Sequence, residues 1–381
     1  MNNLAFYVHI PYCVRRCGYC DFNTYTPAEL SISNDLTETS RSYIDLLIKE
    51  LEFARETTGS AVVPTIFFGG GTPTLMESSD LGRVIKAISS SYELAPVVEI
   101  TTEANPDTVT KEKLASLREA GFNRISFGMQ SAVPHVLKSL DRTHNPENVL
   151  KATTWAREVG FNEVSVDLIY GTAGESLDDW ELTVDTALSL PISHISAYAL
   201  IVESGTKLGA QVRRGEVTMP DDDETADKYL LADEKFIKAG FDWYELSNWS
   251  KEGSECRHNL AYWNGDNWWG LGAGAHSHVD GRRFWNVKHP AAYTQKVIDS
   301  GNPMQDQEIL TLEEARSEEI MLQIRLASGL SRSTLSASEA KSLPSFLAEG
   351  YLLPEAWENG QVVLSKTGRL MADRIVREIL V

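Results

Sequence analysis

The sequence predicts an α/β protein: a partial (β/α)6 barrel followed by a small C-terminal, winged-helix-like domain. Three observations predict it. Six short β-branched or aromatic runs alternate with helical patterns through the first two thirds of the chain, as expected of a parallel sheet wound by right-handed crossovers. Glycine and polar residues gather just past the ends of those runs, where such sheets place their ligands. Composition then changes twice, dividing the chain into a barrel at 1–240, a Trp- and Gly-rich extension at 241–302 and a small domain at 303–381.

In chain order, the strands are expected at 4–10, 65–68, 97–102, 124–127, 163–169 and 194–200, the first from the run Leu4-Ala5-Phe6-Tyr7-Val8-His9-Ile10. Helices are expected at 40–56, 79–90, 111–120, 147–159, 178–188 and 223–239. The acidic run Asp221-Asp222-Asp223-Glu224 sits at the start of the last helix, where the helix dipole favours negative charge. The extension holds six of the nine Trp together with Gly270-Leu271-Gly272-Ala273-Gly274. No βαβ unit follows those glycines, so close backbone packing is the preferred reading over a dinucleotide loop. The last segment shows helices at 312–326 and 344–349, a hairpin at 352–364 turning at Asn359-Gly360, and a final helix at 366–380. We read this domain as a lid or docking module.

Bulk charge narrows the partners. Against 35 Lys and Arg stand 54 Asp and Glu, a formal charge of −19. Nucleic acid and anionic membrane surfaces are therefore not expected, because both require clustered positive charge. The first strand begins close to Met1 with no basic or long apolar stretch ahead of it, so neither a signal peptide nor a spanning helix is expected. Four crowded cysteines make a poor disulfide framework and point to a reducing cytoplasm.

The chemistry concentrates in Tyr12-Cys13-Val14-Arg15-Arg16-Cys17-Gly18-Tyr19-Cys20. Thiolates are soft ligands, and three in one short loop can hold a metal or an iron–sulfur cluster with one coordination position open. Two other readings exist. The cysteines could form one buried face of a helix, although Pro11, Arg15, Arg16 and Gly18 oppose it; or they could hold zinc, completed by His9, Cys256 or His258.

The spacing Cys-x-x-x-Cys-x-aromatic-Cys after a first strand, with Tyr19 as the aromatic, resembles the signature of the radical S-adenosylmethionine superfamily. The resemblance implies that Cys13, Cys17 and Cys20 bind a [4Fe–4S] cluster. It also implies that S-adenosylmethionine chelates the fourth iron and that a donor such as flavodoxin or ferredoxin supplies electrons. Gly69-Gly70-Gly71-Thr72-Pro73 after the second strand resembles the stretch that holds the cofactor's methionine amino group. The implied cofactor-binding residues are Tyr7, Tyr19, Gly70, Gly71, Thr72, Glu103, Gln130, Arg142 and Asp167. Carboxylates suit ribose hydroxyls and Arg suits a carboxylate, yet each of these also reads as a structural polar residue at a strand end.

Within the superfamily, Tyr7-Val8-His9-Ile10-Pro11-Tyr12-Cys13 and the C-terminal domain resemble the oxygen-independent coproporphyrinogen III oxidase-like group, which contains oxidases and haem chaperones. Three features favour the chaperones. Phe22 stands where the oxidases have a further cysteine, the oxidases' N-terminal extension is missing, and His258-Asn259-Leu260-Ala261-Tyr262-Trp263 matches the chaperones' His-Asn-x-x-Tyr-Trp motif. The resemblance implies haem as bound cargo for apo-haemoproteins, including peripheral contact with membrane-bound recipients. His258 could ligate iron with Tyr262 and Trp263 packed on the macrocycle, with Cys256 as a rival ligand; a His among Trp residues also fits a hydrogen-bonded core position. The alternative function is enzymatic: radical oxidative decarboxylation of coproporphyrinogen III to protoporphyrinogen IX.

Overall fold

A computed structural model describes residues 2–142 and 144–380; Met1, Thr143 and Val381 lie outside the described residues. All six expected strands form and pair in parallel, in chain order: β1 Ala5–Ile10, β2 Ala61–Gly70, β3 Glu93–Ala104, β4 Arg124–Gln130, β5 Glu163–Tyr170 and β6 His194–Ala199. Strands β2 and β3 begin earlier than the apolar pattern suggests. Their pairing shifts register between Val63 and Thr65, where Pro64 has no N–H to offer the ladder. Helices α1 Thr37–Thr58, α2 Ser78–Ser91, α3 Lys111–Glu119, α4 Pro146–Glu158, α5 Leu177–Leu188 and α6 Asp222–Lys238 return the chain between or after the strands. Asp221 caps α6 by accepting the Glu224 N–H at 2.8 Å, so the acidic run does serve a helix start.

The alternation of side chains along each strand divides the barrel wall. Phe6, Val8, Ile66, Phe68, Phe127 and Val166 pack outward against the helices in the main core. The residues between them, Tyr7, His9, Phe67, Glu103, Ser126 and Asp167, belong to the opposite face, which is the lumen. Polar residues in these strands are therefore concentrated on one side.

The Trp- and Gly-rich segment continues this sheet at both edges. Beyond β6, strands β7 Asp242–Glu245 and β8 Asn248–Ser250 form an antiparallel pair, of which β8 is joined antiparallel to β6. Helix α7 Arg257–Trp263 follows, and then β9 Trp268–Leu271 pairs in parallel with β1. Beyond it lie antiparallel β10 His276–Val279, β11 Arg282–Asn286 and β12 Met304–Ile309. Glu50 of α1 fastens this extension by accepting from Tyr293 Oη, Asn286 Nδ2 and the Gly272 N–H at 2.6, 2.7 and 2.9 Å. Gly270 has no room for a side chain, since a Cβ there would lie 2.2 Å from the His276 carbonyl oxygen. Close packing, as expected, explains that glycine.

Beyond β12 a second, smaller core forms around Ile320, Leu330, Phe346, Val362, Leu364 and Ile375. Two sequence expectations need correction here. The hairpin at 352–364 is reduced to a single bridge between Leu352 and Leu364, because Pro354 opens a helix, Pro354–Glu358, and Gln361–Val362 pairs instead with Leu330–Ser331. The last helix is divided at Met371 into Lys366–Leu370 and Ala372–Ile379. Among the described residues no helix is long and apolar enough to cross a membrane.

Candidate cluster and cofactor site

The cysteine loop leaves β1 and closes on itself. The Cys13 N–H donates to the Tyr25 carbonyl at 3.0 Å, and the Tyr25 N–H donates to that of Pro11 at 2.7 Å. All three thiols are half-buried within this closed loop, while Phe22 is 61% exposed at its outer edge. The loop is anchored from outside as well: the Leu208 N–H donates to the Gly18 carbonyl, and Gly18 lies so close to Asp141 that a Cβ would meet its carboxylate at 2.4 Å.

Two groups face the sulfurs. Thr72 Oγ1 lies 3.9 Å from Cys13 Sγ, and Arg142 Nη1 lies 3.6 Å from Cys17 Sγ while its Nη2 donates to the Gly128 carbonyl at 2.7 Å. Burial pushes the Cys13 thiol up to about 11 and also raises Cys20. Among the described residues no three His, Cys, Asp or Glu side chains converge on a single metal ion. A four-iron cluster makes a different demand, because each thiolate binds its own iron. A half-buried loop with three thiols, a guanidinium beside one and a hydroxyl beside another fits such a cluster.

Next to the loop, the end of β2 forms a cradle. Gly70 adopts φ +107°, and a Cβ on it would sit 2.4 Å from the His9 ring; on Gly71 it would sit 2.4 Å from the Tyr12 carbonyl oxygen. Only glycine fits both positions. The Gly70 N–H donates to Glu103 Oε2 at 3.1 Å. Burial, reinforced by the neighbouring charge of Asp167, pushes Glu103 up to about 8. Burial likewise raises Asp167 to about 6, opposed by the Ser126 hydroxyl, which donates to its Oδ1 at 2.9 Å. Arg142 and Arg124 partly offset the charge of Asp167, whereas no cation among the described residues offsets that of Glu103, so the cavity suits a cationic ligand beside Glu103.

The remaining cofactor candidates gather here with different roles. Gln130 holds the left-handed backbone conformation at φ 61°, and its side-chain Oε1 is buried without a hydrogen-bond partner among the described residues. Such strain and an orphaned acceptor are features that suit a ligand position. Tyr7 hydrogen-bonds His9 Nδ1 at 3.0 Å, and His9 Nε2 meets the Asn23 carbonyl at 2.8 Å, so Nε2 carries the proton and Tyr7 donates. Tyr19 packs beside Val133, Val136, Leu140 and Ile169, supporting the loop from beneath.

His258 occupies another level. Helix α7 crosses the N-terminal side of the lumen, and Glu99 of β3 accepts the N–H groups of Arg257 and His258, each at 3.1 Å. The His258 ring is 1% exposed, with Nδ1 on Thr65 Oγ1 and Nε2 on Tyr262 Oη, both at 2.8 Å. It stacks on Phe67 at 5.1 Å, and burial pulls its pKa down to about 3. Neither ring nitrogen is free in this conformation. Cys256 is buried too, its thiol 3.6 Å from Glu99 Oε1 and pushed up to about 12. Tyr262 and Trp263 are half-exposed.

Sequence reasoning overlooked Glu99, Arg124 and Ser126 as lumenal residues. Arg124 Nη1 lies 3.8 Å from Glu99 Oε2 and donates to the Ser254 carbonyl at 2.9 Å, both side chains being buried. A charge inside an otherwise apolar strand was the available signal.

Comparison with known proteins bears on the family and the fold. The Radical SAM superfamily profile matches residues 7–187. The chain is 44% identical over 375 residues to the haem chaperone HemW of Mycobacterium tuberculosis, covering 98% of this chain and 94% of that protein. It is 34% identical to HemW of Bacillus subtilis, covering 97% of each. Its fold superposes on the Escherichia coli coproporphyrinogen III oxidase HemN, a radical SAM enzyme, with a TM-score of 0.83 at 22% identity, covering 99% of this chain and 90% of that one.

Proposed function

Because the chain belongs to the radical SAM superfamily, in the HemN-like group and similar to HemW over nearly its full length, we propose that it is a haem chaperone delivering haem to apo-haemoproteins. The observation that carries this reading is the near-full-length identity to proteins named haem chaperones.

Cys13, Cys17 and Cys20 would hold a [4Fe–4S] cluster, leaving one iron for S-adenosylmethionine. A cluster bound there can supply one electron to the cofactor's sulfonium. Gly70, Gly71 and Thr72 would bring backbone and hydroxyl groups to the methionine end, while Glu103 and Asp167 provide carboxylates for cationic and hydroxyl groups. Gln130 Oε1 offers an acceptor, Arg142 a cation for a carboxylate beside Cys17, and Tyr7 and Tyr19 pack the cradle and the loop. For the cargo, we assign His258, Tyr262 and Trp263 to the wall against which haem rests, with His258 holding Tyr262 through their hydrogen bond. An electron donor of the flavodoxin or ferredoxin kind, a cytoplasmic setting and peripheral contact with membrane-bound recipients belong to the same reading.

The test is haem transfer. Anaerobically reconstituted protein is expected to retain haem and to convert an apo-haemoprotein to its holo form; protein that retains none overturns the proposal. Incubation of the reduced protein with S-adenosylmethionine, with and without coproporphyrinogen III, separates the oxidase reading. Protoporphyrinogen IX would support the enzyme, whereas 5′-deoxyadenosine without it would show only that the cofactor is cleaved.

A further inference from the structure

Strands β9 to β11 have one covered face and one open face. Trp269, Leu271, Ser277, Phe284 and Asn286 are buried, and Trp269 packs edge-on against both Phe53 of α1 and Phe284. Trp268, His276, His278, Arg283 and Trp285 alternate with them and remain half-exposed or exposed. They are in register across the strands: Trp268 faces His278, His278 faces Arg283, and His276 faces Trp285. The open face of an antiparallel sheet is ordinarily polar. This one is largely aromatic and rich in imidazole, and it joins the wall already described, with Tyr262 edge-on to Trp268 at 4.8 Å.

His276 differs from the other histidine on this face. His278 Nδ1 is engaged by the Asp266 carbonyl at 3.1 Å. His276 is exposed, its ring lies nearly parallel to Trp285 at 5.7 Å, and neither of its ring nitrogens has a hydrogen-bond partner among the described residues. Partial burial and the nearby charge of Lys288 lower its pKa, which favours the neutral imidazole that can coordinate a metal. It also acts electrostatically on His9, so it stands near the cofactor cradle.

We infer that this open face binds the haem macrocycle, with His276 as an axial ligand to the iron, Trp268 and Trp285 against the ring, and Lys288 toward the carboxylate arms. The inference rests on the chaperone reading and names its site. An imidazole with neither nitrogen paired among the described residues, beside two half-exposed indoles and the Lys288 ammonium, provides what a flat, metallated, anionic ligand needs. His258 has neither a free nitrogen nor access, and supports the wall through Tyr262.

The experiment uses the full, cluster-loaded chain titrated with ferric haem and followed by Soret absorbance and electron paramagnetic resonance. His276→Ala is expected to weaken binding at least tenfold and to alter the spin-state signature, with added imidazole restoring the original spectrum. Trp285→Leu should weaken binding and leave the ligation spectrum intact. His135→Ala, at an exposed position on another helix, should behave like the parent. A His276→Ala protein with the parent's affinity and spectrum overturns this site while the chaperone reading stands. Parent protein that takes up no haem overturns both.

Discussion

Arg369 of the C-terminal domain clasps Asp233 of α6 in a fork, Nη1 to Oδ1 at 2.8 Å and Nη2 to Oδ2 at 2.9 Å, with both side chains buried. Asp233 also accepts from Trp249 Nε1 at 2.9 Å, and the Arg369 guanidinium lies over the Trp243 ring at 4.5 Å. The small domain is thus held to the barrel by a charge pair that neither partner could bury alone. Removing one side leaves the other charge uncompensated, so Arg369→Ala should cost about 3–5 kcal/mol. Urea unfolding followed by Trp fluorescence checks this, and a loss below about 1 kcal/mol would show that the clasp is dispensable.

The four cysteines should separate cleanly. Cys13→Ala, Cys17→Ala and Cys20→Ala are each expected to purify anaerobically with most iron and sulfide lost, since three thiolates are the minimum that leaves a single iron open. Cys256→Ser is expected to keep full iron content, because its thiol is buried against Glu99. Iron and sulfide analysis of the four proteins checks both statements; a colourless Cys256→Ser protein would place that residue in the cluster's ligand set.

Glu103 should make cofactor affinity depend on pH. Its carboxyl is held at about 8 by burial and the charge of Asp167, above the ordinary 4.5, so the neutral acid is favoured. Stability contributed by that neutral form is present at low pH and lost as pH rises from about 4.5 through about 8. A cationic ligand needs the ionised form, so S-adenosylmethionine should bind more tightly as pH rises from about 6 to 8. Glu103→Gln should flatten that dependence and weaken binding about tenfold, one pKa unit being worth a factor of ten. Calorimetric titration at several pH values checks this; parallel profiles for the two proteins would exclude Glu103 as the titrating group.

Much of this architecture was legible because the barrel uses local rules. The six strands announce themselves through β-branched and aromatic runs, whereas the steric reason for Gly70 and Gly71, the nearness of the His9 ring and the Tyr12 carbonyl oxygen, appears only in the fold. What was not legible depends on three-dimensional closure. Nothing local says that Trp268 pairs in parallel with Ala5, 263 residues earlier, because parallel pairing carries no turn signal. The same pairing turns an apparent appendage into the barrel's next strand. His258 shows the limit from the other direction: its motif leaves iron ligation and a hydrogen-bonded core position both open, and only the fold shows Thr65 and Tyr262, one of them distant in sequence, on its two nitrogens.

That occupancy makes His258 an acid-sensitive part of the barrel floor. Burial lowers its pKa from 6.5 to about 3, so the folded state strongly prefers the neutral ring. The unfolded chain binds the proton more readily below about 6.5, and the stabilisation present above that pH is lost progressively as pH falls toward 3. His144, lowered to about 4, and His194, also lowered, act in the same direction. His258→Phe can keep the stack on Phe67 but loses the bonds to Thr65 and Tyr262, which should cost about 1–3 kcal/mol near neutral pH. The same substitution removes one titrating group, so stability should fall less steeply between about pH 6 and 4, by up to about 1.4 kcal/mol per pH unit. Urea unfolding at three pH values measures both effects in one series. Equal slopes for parent and variant would mean that His258 is not held neutral in the fold, and would reopen it as an accessible ligand.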